Sequence, residues 1–259
     1  MHPFDAIIFD LGSTLIYFEG EWPEVIAEGD AKLFEQLARA GLKLDREEFL
    51  TAYREQMEAY YRERDTEFIE YTTVNVLRQL LEKWGYHDVP DAILQPAVNS
   101  FYAISQAHWR AEEDANRTLE WLKREGYRLG LISNAGDNQD VQTLVDKAGL
   151  RDYFDIIVTS AVEGIRKPNP KIFKKLLDFW GYTPDRVAMV GDTLGADILG
   201  AQNAGIYAIW ITRRADHPAN RAHADTIIPD ATIDTLDELP GFLARLGRRQ
   251  SGGTTSFGD

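Results

Sequence analysis

Cysteine is absent from the 259-residue chain, which excludes disulfides, a thiol nucleophile and every thiolate metal site. Basic residues are scarce: 28 lysines and arginines stand against 42 aspartates and glutamates, for a formal net charge of -14. Nucleic-acid phosphates demand a basic face, so nucleic acid is excluded as the main partner. A small phosphorylated compound stays open, because one local lysine and a cation suffice to hold it. No apolar run is long enough to span a bilayer, and the first residues lead into an apolar tetrad without a signal-peptide pattern. A soluble protein of the cytoplasm, with no membrane partner, is therefore expected. Histidine is sparse too, and none of His2, His87, His108, His217 and His223 sits directly after a predicted strand. The sequence leaves the oligomeric state open.

What is present is ordinary globular material, 44% hydrophobic and 27% charged, enough for one sizeable domain with an insertion. Residues 4–10 predict a buried strand ending in a carboxylate, Asp10, before a Gly12-Ser13-Thr14 turn. Trp22-Pro23 reads as a turn-like exit. Residues 24–104 then read helical, with one apolar stripe at Leu33, Phe34, Leu37 and Ala38 and another at Phe49, Tyr53, Met57 and Tyr60. Val74, Leu77, Leu80, Leu81 and Trp84 make a third; Gly29, Gly41 and Gly85 read as punctuation. Strands are predicted at 128–132, 154–159, 187–190, 207–211 and 226–228, alternating with helices, the first of them capped by Asp114. Such alternation implies an α/β fold with a doubly wound, mostly parallel sheet. The expected division is an α/β core of residues 1–16 and 111–247, an all-helical insertion at 17–110, and a Gly/Ser/Thr-rich disordered tail at 248–259.

The polar signals sit just after these strands. Asp10 follows the first, Ser133-Asn134 the second, Lys167 lies a loop beyond the third, and Asp192 follows the fourth. Parallel strands share one carboxyl edge, so residues distant in sequence meet there. A carboxylate can attack phosphorus, and hard oxygen donors suit Mg²⁺. A lysine and a hydroxyl can stabilise charge on the transferring group. Each also has a bland reading: Asp197 and Ser133 as caps, Lys167 as a surface lysine, Thr14 as a brace.

This ordered set resembles the haloacid dehalogenase-like hydrolase superfamily. Asp10, Thr14 and Leu15 match its first motif, Leu131-Ile132-Ser133-Asn134 its second, and Lys167-Pro168-Asn169-Pro170 its third. Gly191, Asp192, Asp197, Gly200 and Ala201 match its fourth. The resemblance implies a Rossmann-like core with a helical cap, and a Mg²⁺-dependent phosphatase acting on a small phosphorylated metabolite. It also implies Asp10 as nucleophile, with Ser133 and Lys167 as catalytic phosphate stabilisers and Thr14 and Asn134 near the substrate. The implied metal site is Asp10, the Gly12 carbonyl, Asp192 and Asp197. The chain departs from the family at Gly12, where its phosphatases usually carry a second Asp that acts as acid and base. Two alternatives follow: a catalytically weak relative that binds a phosphorylated ligand or partner, and a metal-independent 2-haloacid dehalogenase. Trp22, Tyr60, Tyr61, Arg62, Arg64 and Tyr71 are candidates for the pocket wall, against a solvated helix face. Glu63, Asp65, Glu67 and Glu70 read as exposed charge, and His108, Trp109 and Arg110 as a linker.

Overall fold

A computed structural model describes residues 2–252. Six parallel strands form the central sheet: β1 (Ala6–Phe9), β4 (Arg128–Ser133), β5 (Ile156–Thr159), β6 (Val187–Gly191), β7 (Tyr207–Ile211) and β8 (Ala231–Ile233). Their spatial order is β5-β4-β1-β6-β7-β8, with β1 at the centre and Phe9 in register with both Leu131 and Val190. This is the doubly wound, Rossmann-like α/β architecture the alternation predicts. The all-apolar β1 suits a strand covered on both faces, because successive side chains point to opposite sides. Ile7 and Phe9 join one core cluster with Leu129, Leu131 and Val190, under α5 (Ala115–Arg124), α6 (Asn138–Lys147) and α11 (Glu238–Gly252). Ala6 and Ile8 join the other with Met189, against α8 (Pro170–Trp180) and α9 (Leu199–Asn203). Short helices α7 (Ser160–Glu163) and α10 (Pro218–Arg221) complete the core. Each fully buried Ile, Leu or Phe stabilises this sandwich by about 1.5–3 kcal/mol.

Between β1 and β4 lie four helices, α1 (Trp22–Arg39), α2 (Arg46–Glu67), α3 (Thr73–Lys83) and α4 (Asp91–Gln106). They enclose their own apolar cluster around Leu33, Leu37, Phe49, Tyr53, Leu77, Leu81 and Leu94. Both ends of the insertion pass through a two-stranded antiparallel ribbon, β2 (Ile16–Phe18) with β3 (Trp109–Ala111), in which Phe18 faces Trp109. Neither strand is foreseen from the sequence, where 109–110 reads only as a linker. Three residues are too few to show a period of two.

Several local expectations are corrected. Trp22 and Pro23 open α1 rather than ending a turn, as a proline suits the first helical turn. Gly29 lies inside α1, where a side chain would meet Phe101 at 2.7 Å. Asp114 makes no cap hydrogen bond; its carboxylate is buried and bidentate with Arg213 at 2.8 Å. The last strand is Ala231–Ile233, not 226–228, because Asp230 N–H donates to the Ala208 carbonyl at 3.0 Å and sets the register there. Glu70 is buried rather than exposed, accepting from the hydroxyls of Tyr60 and Ser160. Of the tail expected at 248–259, residues 248–252 are the end of α11, and 253–259 lie outside the described residues.

Candidate active site

Asp10, Ser133 and Asp192 stand at the carboxyl ends of β1, β4 and β6, three adjacent parallel strands, and so on one edge of the sheet. The Asp10 N–H still donates to the Val190 carbonyl at 3.0 Å, which carries the strand pairing up to the first site residue. The chain then turns sharply through Leu11–Leu15, with Ser13 in the left-handed region at φ 61. That turn places Thr14 beneath the pocket floor, where its buried hydroxyl donates to Asp192 Oδ1 at 3.3 Å. Thr14 therefore touches the acidic cluster rather than the cavity.

Lys167 is the electrostatic centre. It is only 2% exposed, with Nζ 2.5 Å from Asp10 Oδ1, 2.6 Å from Asp197 Oδ1 and 2.9 Å from the Ile132 carbonyl. Asn134 holds the lysine's backbone from both sides: its Nδ2 donates to the Lys167 carbonyl at 3.0 Å, and its Oδ1 accepts from the Lys167 N–H at 2.8 Å. With its amide committed to that loop, Asn134 positions the lysine. Asp197 arrives on a π-helical turn, Leu194–Ile198, and accepts from the Thr193 N–H at 2.9 Å. Glycine at 191 is required by this approach, because a Cβ there would lie 2.4 Å from Asp197 Cγ.

Asp10, Asp192 and Asp197 offer carboxylate oxygens all within 4.8 Å of one another, each residue buried. Two of the three, Asp10 and Asp197, contact the Lys167 ammonium, while Asp192 meets Thr14 and His217. Burial drives the Asp10 carboxyl up to about 8, Asp197 and Asp192 push the same way, and only Lys167 opposes them. Asp197 is raised for the same first reason, burial, against the pull of Lys167. Lys167 stays protonated, since the two carboxylates outweigh its desolvation. Excess buried negative charge on hard oxygen donors is the chemistry of a divalent-cation site, so this residue set fits one.

The cavity above these groups is about 500 Å³. Its floor includes Asp10, Gly12, Ser133, Asn134, Lys167, Asp192 and Asp197; the helical insertion adds Trp22, Ile26, Tyr61, Phe101 and Tyr102. Of the residues suggested for the wall, Trp22 and Tyr61 line it, while Tyr60, Arg62, Arg64 and Tyr71 do not. His108 stays outside, its Nδ1 2.8 Å from the Glu19 carbonyl.

The lining residues that the sequence reading did not assign to the site include Trp109, Asp140, Arg166 and His217. His217 Nε2 lies 3.4 Å from Asp192 Oδ2, on a loop tied back by Asn220, which donates to the Asp192 carbonyl at 2.7 Å. The loop follows β7 at the same edge, and that adjacency is the signal that would have found it. Trp109 covers Gly12, where an added Cβ would meet Cη2 of the indole at 3.4 Å.

Asp140, on the first turn of α6, accepts from Gln106 at 2.9 Å. Burial raises its carboxyl to about 7; Asp137 adds to the rise and Gln106 opposes it. The unfolded chain releases this proton near pH 3.8, so the folded state holds the extra proton between there and about 7. Stability from this group is present at low pH and is lost as pH rises through that window. Asp140→Asn is expected to match the wild type in urea unfolding at about pH 4 and to exceed it by about 1–3 kcal/mol at about pH 8. Equal stability at both pH values would contradict this.

Comparison with known proteins agrees with the geometry. A model of the haloacid dehalogenase-like hydrolases matches residues 4–205. The chain is 31% identical over 252 residues to the glyceraldehyde 3-phosphate phosphatase of Pyrococcus furiosus, covering 96% of this chain and 95% of that protein. A 2-haloacid dehalogenase from Pseudomonas syringae pv. Tomato superposes with a TM-score of 0.63 at 28% identity, over 93% of this chain and 99% of its own. A phosphatase of the same superfamily from Thermococcus onnurineus gives 0.58 at 25% identity, over 92% and 97%. This chain belongs to the haloacid dehalogenase-like hydrolases and is an enzyme of that class.

Proposed function

We propose that the protein is a Mg²⁺-dependent phosphatase that hydrolyses a small phosphorylated compound through an aspartyl-phosphate on Asp10. The observation that carries this reading is the excess of buried carboxylate: Asp10, Asp192 and Asp197 against the one ammonium of Lys167. A bound divalent cation would balance that excess. Asp10, Asp192, Asp197 and the Gly12 carbonyl would hold the ion. When bound, Mg²⁺ supplies the positive charge that lets an anionic nucleophile approach a phosphate dianion.

This chain's residues do the rest. The free carboxylate oxygen of Asp10 attacks phosphorus in line, forming an O–P bond as the ester P–O bond breaks and its electron pair leaves with the leaving oxygen. Lys167 favours the ionised form of Asp10 against the effect of burial and, with the Ser133 hydroxyl, stabilises charge on the equatorial oxygens. Thr14 fixes Asp192 and Asn134 fixes Lys167, so neither must reorganise during transfer. Water then attacks phosphorus of the aspartyl-phosphate, releasing inorganic phosphate and restoring Asp10. Residues 17–110 act as the cap, closing over the core of residues 1–16 and 111–247 and keeping bulk water out until transfer is complete.

Phosphate release from acetyl phosphate tests the reading. Turnover with Mg²⁺ that disappears with a chelator is expected. Halide release from a 2-haloacid in the presence of chelator would instead establish the dehalogenase alternative, which Gly12 and the likeness to the Pseudomonas enzyme favour. Binding of phosphate without turnover of any substrate would establish a binding protein.

A further inference from the structure

The cavity has two unlike halves. Its floor is polar and charged, but its upper wall is aromatic: Trp22, Tyr61, Phe101, Tyr102 and Trp109 all line it. Trp109 is held in place by the β2–β3 ribbon, where it pairs with Phe18. Phe18 in turn stacks on Trp22 at 3.8 Å between ring centroids, nearly parallel at 9°. Trp22 and Trp109 then meet edge-on at 5.9 Å and 71°, making a rigid corner of two indoles. Trp22 is 44% exposed and Tyr61 42%, so both leave apolar surface open at the cavity although Trp22 stacks on Phe18 and the Arg64 guanidinium lies 4.1 Å over the Tyr61 ring. Surfaces of this kind mark a binding site for something apolar.

The second observation concerns the proton. The indole of Trp109 lies over Gly12, two residues beyond Asp10, so the ground next to the nucleophile is apolar and holds no acid. Lys167 is bound to Asp10 and Asp197 and Asp140 to Gln106, and apart from its chain neighbours a Cβ built at Gly12 would meet only Trp109 within 4 Å, not His217 or Tyr61. A leaving group that departs against Trp109 must carry its own negative charge. An alkyl alkoxide, about as basic as hydroxide, does this poorly. A phenol-type oxygen, with a pKa of about 10 as in tyrosine, does it well.

Resting on the phosphatase reading above, we propose that the substrate is the phosphate monoester of an aromatic hydroxyl, with its ring packed in the corner formed by Trp109 and Trp22. Asp10 takes the phosphoryl group as the aryl P–O bond breaks, and the electron pair leaves on the aryl oxygen. That aryl oxide is delocalised into its ring and takes a proton from solvent after departure. Edge-to-face and stacked contacts with the two indoles supply the ring's binding.

The test uses the full chain with Mg²⁺ and compares kcat/KM for phenyl phosphate, glyceraldehyde 3-phosphate and acetyl phosphate. Phenyl phosphate is expected to exceed glyceraldehyde 3-phosphate by about 10²-fold or more, the size of a missing acid's contribution. Across ring-substituted phenyl phosphates, kcat/KM should rise steeply as the phenol pKa falls. Trp109→Ala should reduce the phenyl-to-glyceraldehyde ratio about tenfold, and Trp109→Phe should restore most of it, which a merely misfolded variant would not do. A ratio near or below one, or a flat dependence on phenol pKa, would overturn the proposal while leaving the phosphatase reading intact if acetyl phosphate is turned over. Failure of all three substrates would overturn both.

Discussion

Asp10→Asn is expected to lower phosphate release by at least about 10⁴-fold while the protein stays folded, because an amide cannot attack phosphorus. The substitution is nearly isosteric. Lys167 keeps Asp197 at 2.6 Å and the Ile132 carbonyl at 2.9 Å, and an asparagine Oδ1 can still accept from Nζ. Unfolding free energy should not fall at neutral pH, because the substitution removes a carboxyl that burial already raises to about 8. Circular dichroism with steady-state kinetics separates the two effects. Turnover within tenfold of the wild type would place the nucleophile elsewhere.

Lys167→Met should damage stability as well as activity. The methionine side chain fills much of the lysine's volume but leaves Asp10 and Asp197 buried without their cation. Removing one partner of a buried pair costs about 3–5 kcal/mol when the other must stay charged. Those carboxyls are already pushed upward by burial, so in the variant they take up protons more readily, and the loss should shrink as pH falls. Mg²⁺ should recover part of the stability at neutral pH by replacing the missing charge, without recovering turnover. Denaturation midpoints with and without Mg²⁺, at two pH values, check both statements. A variant as stable as the wild type under all conditions would show that Lys167 does not balance the acidic cluster.

The part of the site legible in the sequence is the part built at strand ends. An apolar run such as Ala6–Phe9 that stops at a carboxylate is expensive to bury unless the carboxylate is used, so Asp10 and Asp192 announce themselves. Ser133 and Lys167 become readable only in company with them. What stayed hidden depends on partners far away in the chain. Asp114 has the look of a helix cap, yet its partner Arg213 lies 99 residues on, and an ion pair of that span leaves no local trace. Glu70 reads as one more exposed acid among several, until Ser160 in the core is found donating to it at 2.8 Å. Trp109 belongs to a three-residue strand whose partner, Phe18, lies on the far side of the helical insertion. The wall over Gly12 thus comes from non-local pairing, while the floor comes from local pattern.

That division bears on the chemistry. The floor, with three carboxylates and Lys167, suits metal-assisted phosphoryl transfer, and the family shares its motifs. The wall places an indole over Gly12 and bears on the leaving group. Solved structures alike in fold include both a dehalogenase and a phosphatase, so the backbone alone does not choose between attack on carbon and attack on phosphorus.

A single turnover in water labelled with heavy oxygen, with enzyme in excess over acetyl phosphate and Mg²⁺ present, tests hydrolysis at phosphorus directly. Attack of water on phosphorus should put the label in the released phosphate and leave the Asp10 peptide unlabelled. Heavy oxygen in the Asp10 carboxylate would mean that water attacked its carbon instead, and would contradict phosphoryl transfer with hydrolysis at phosphorus.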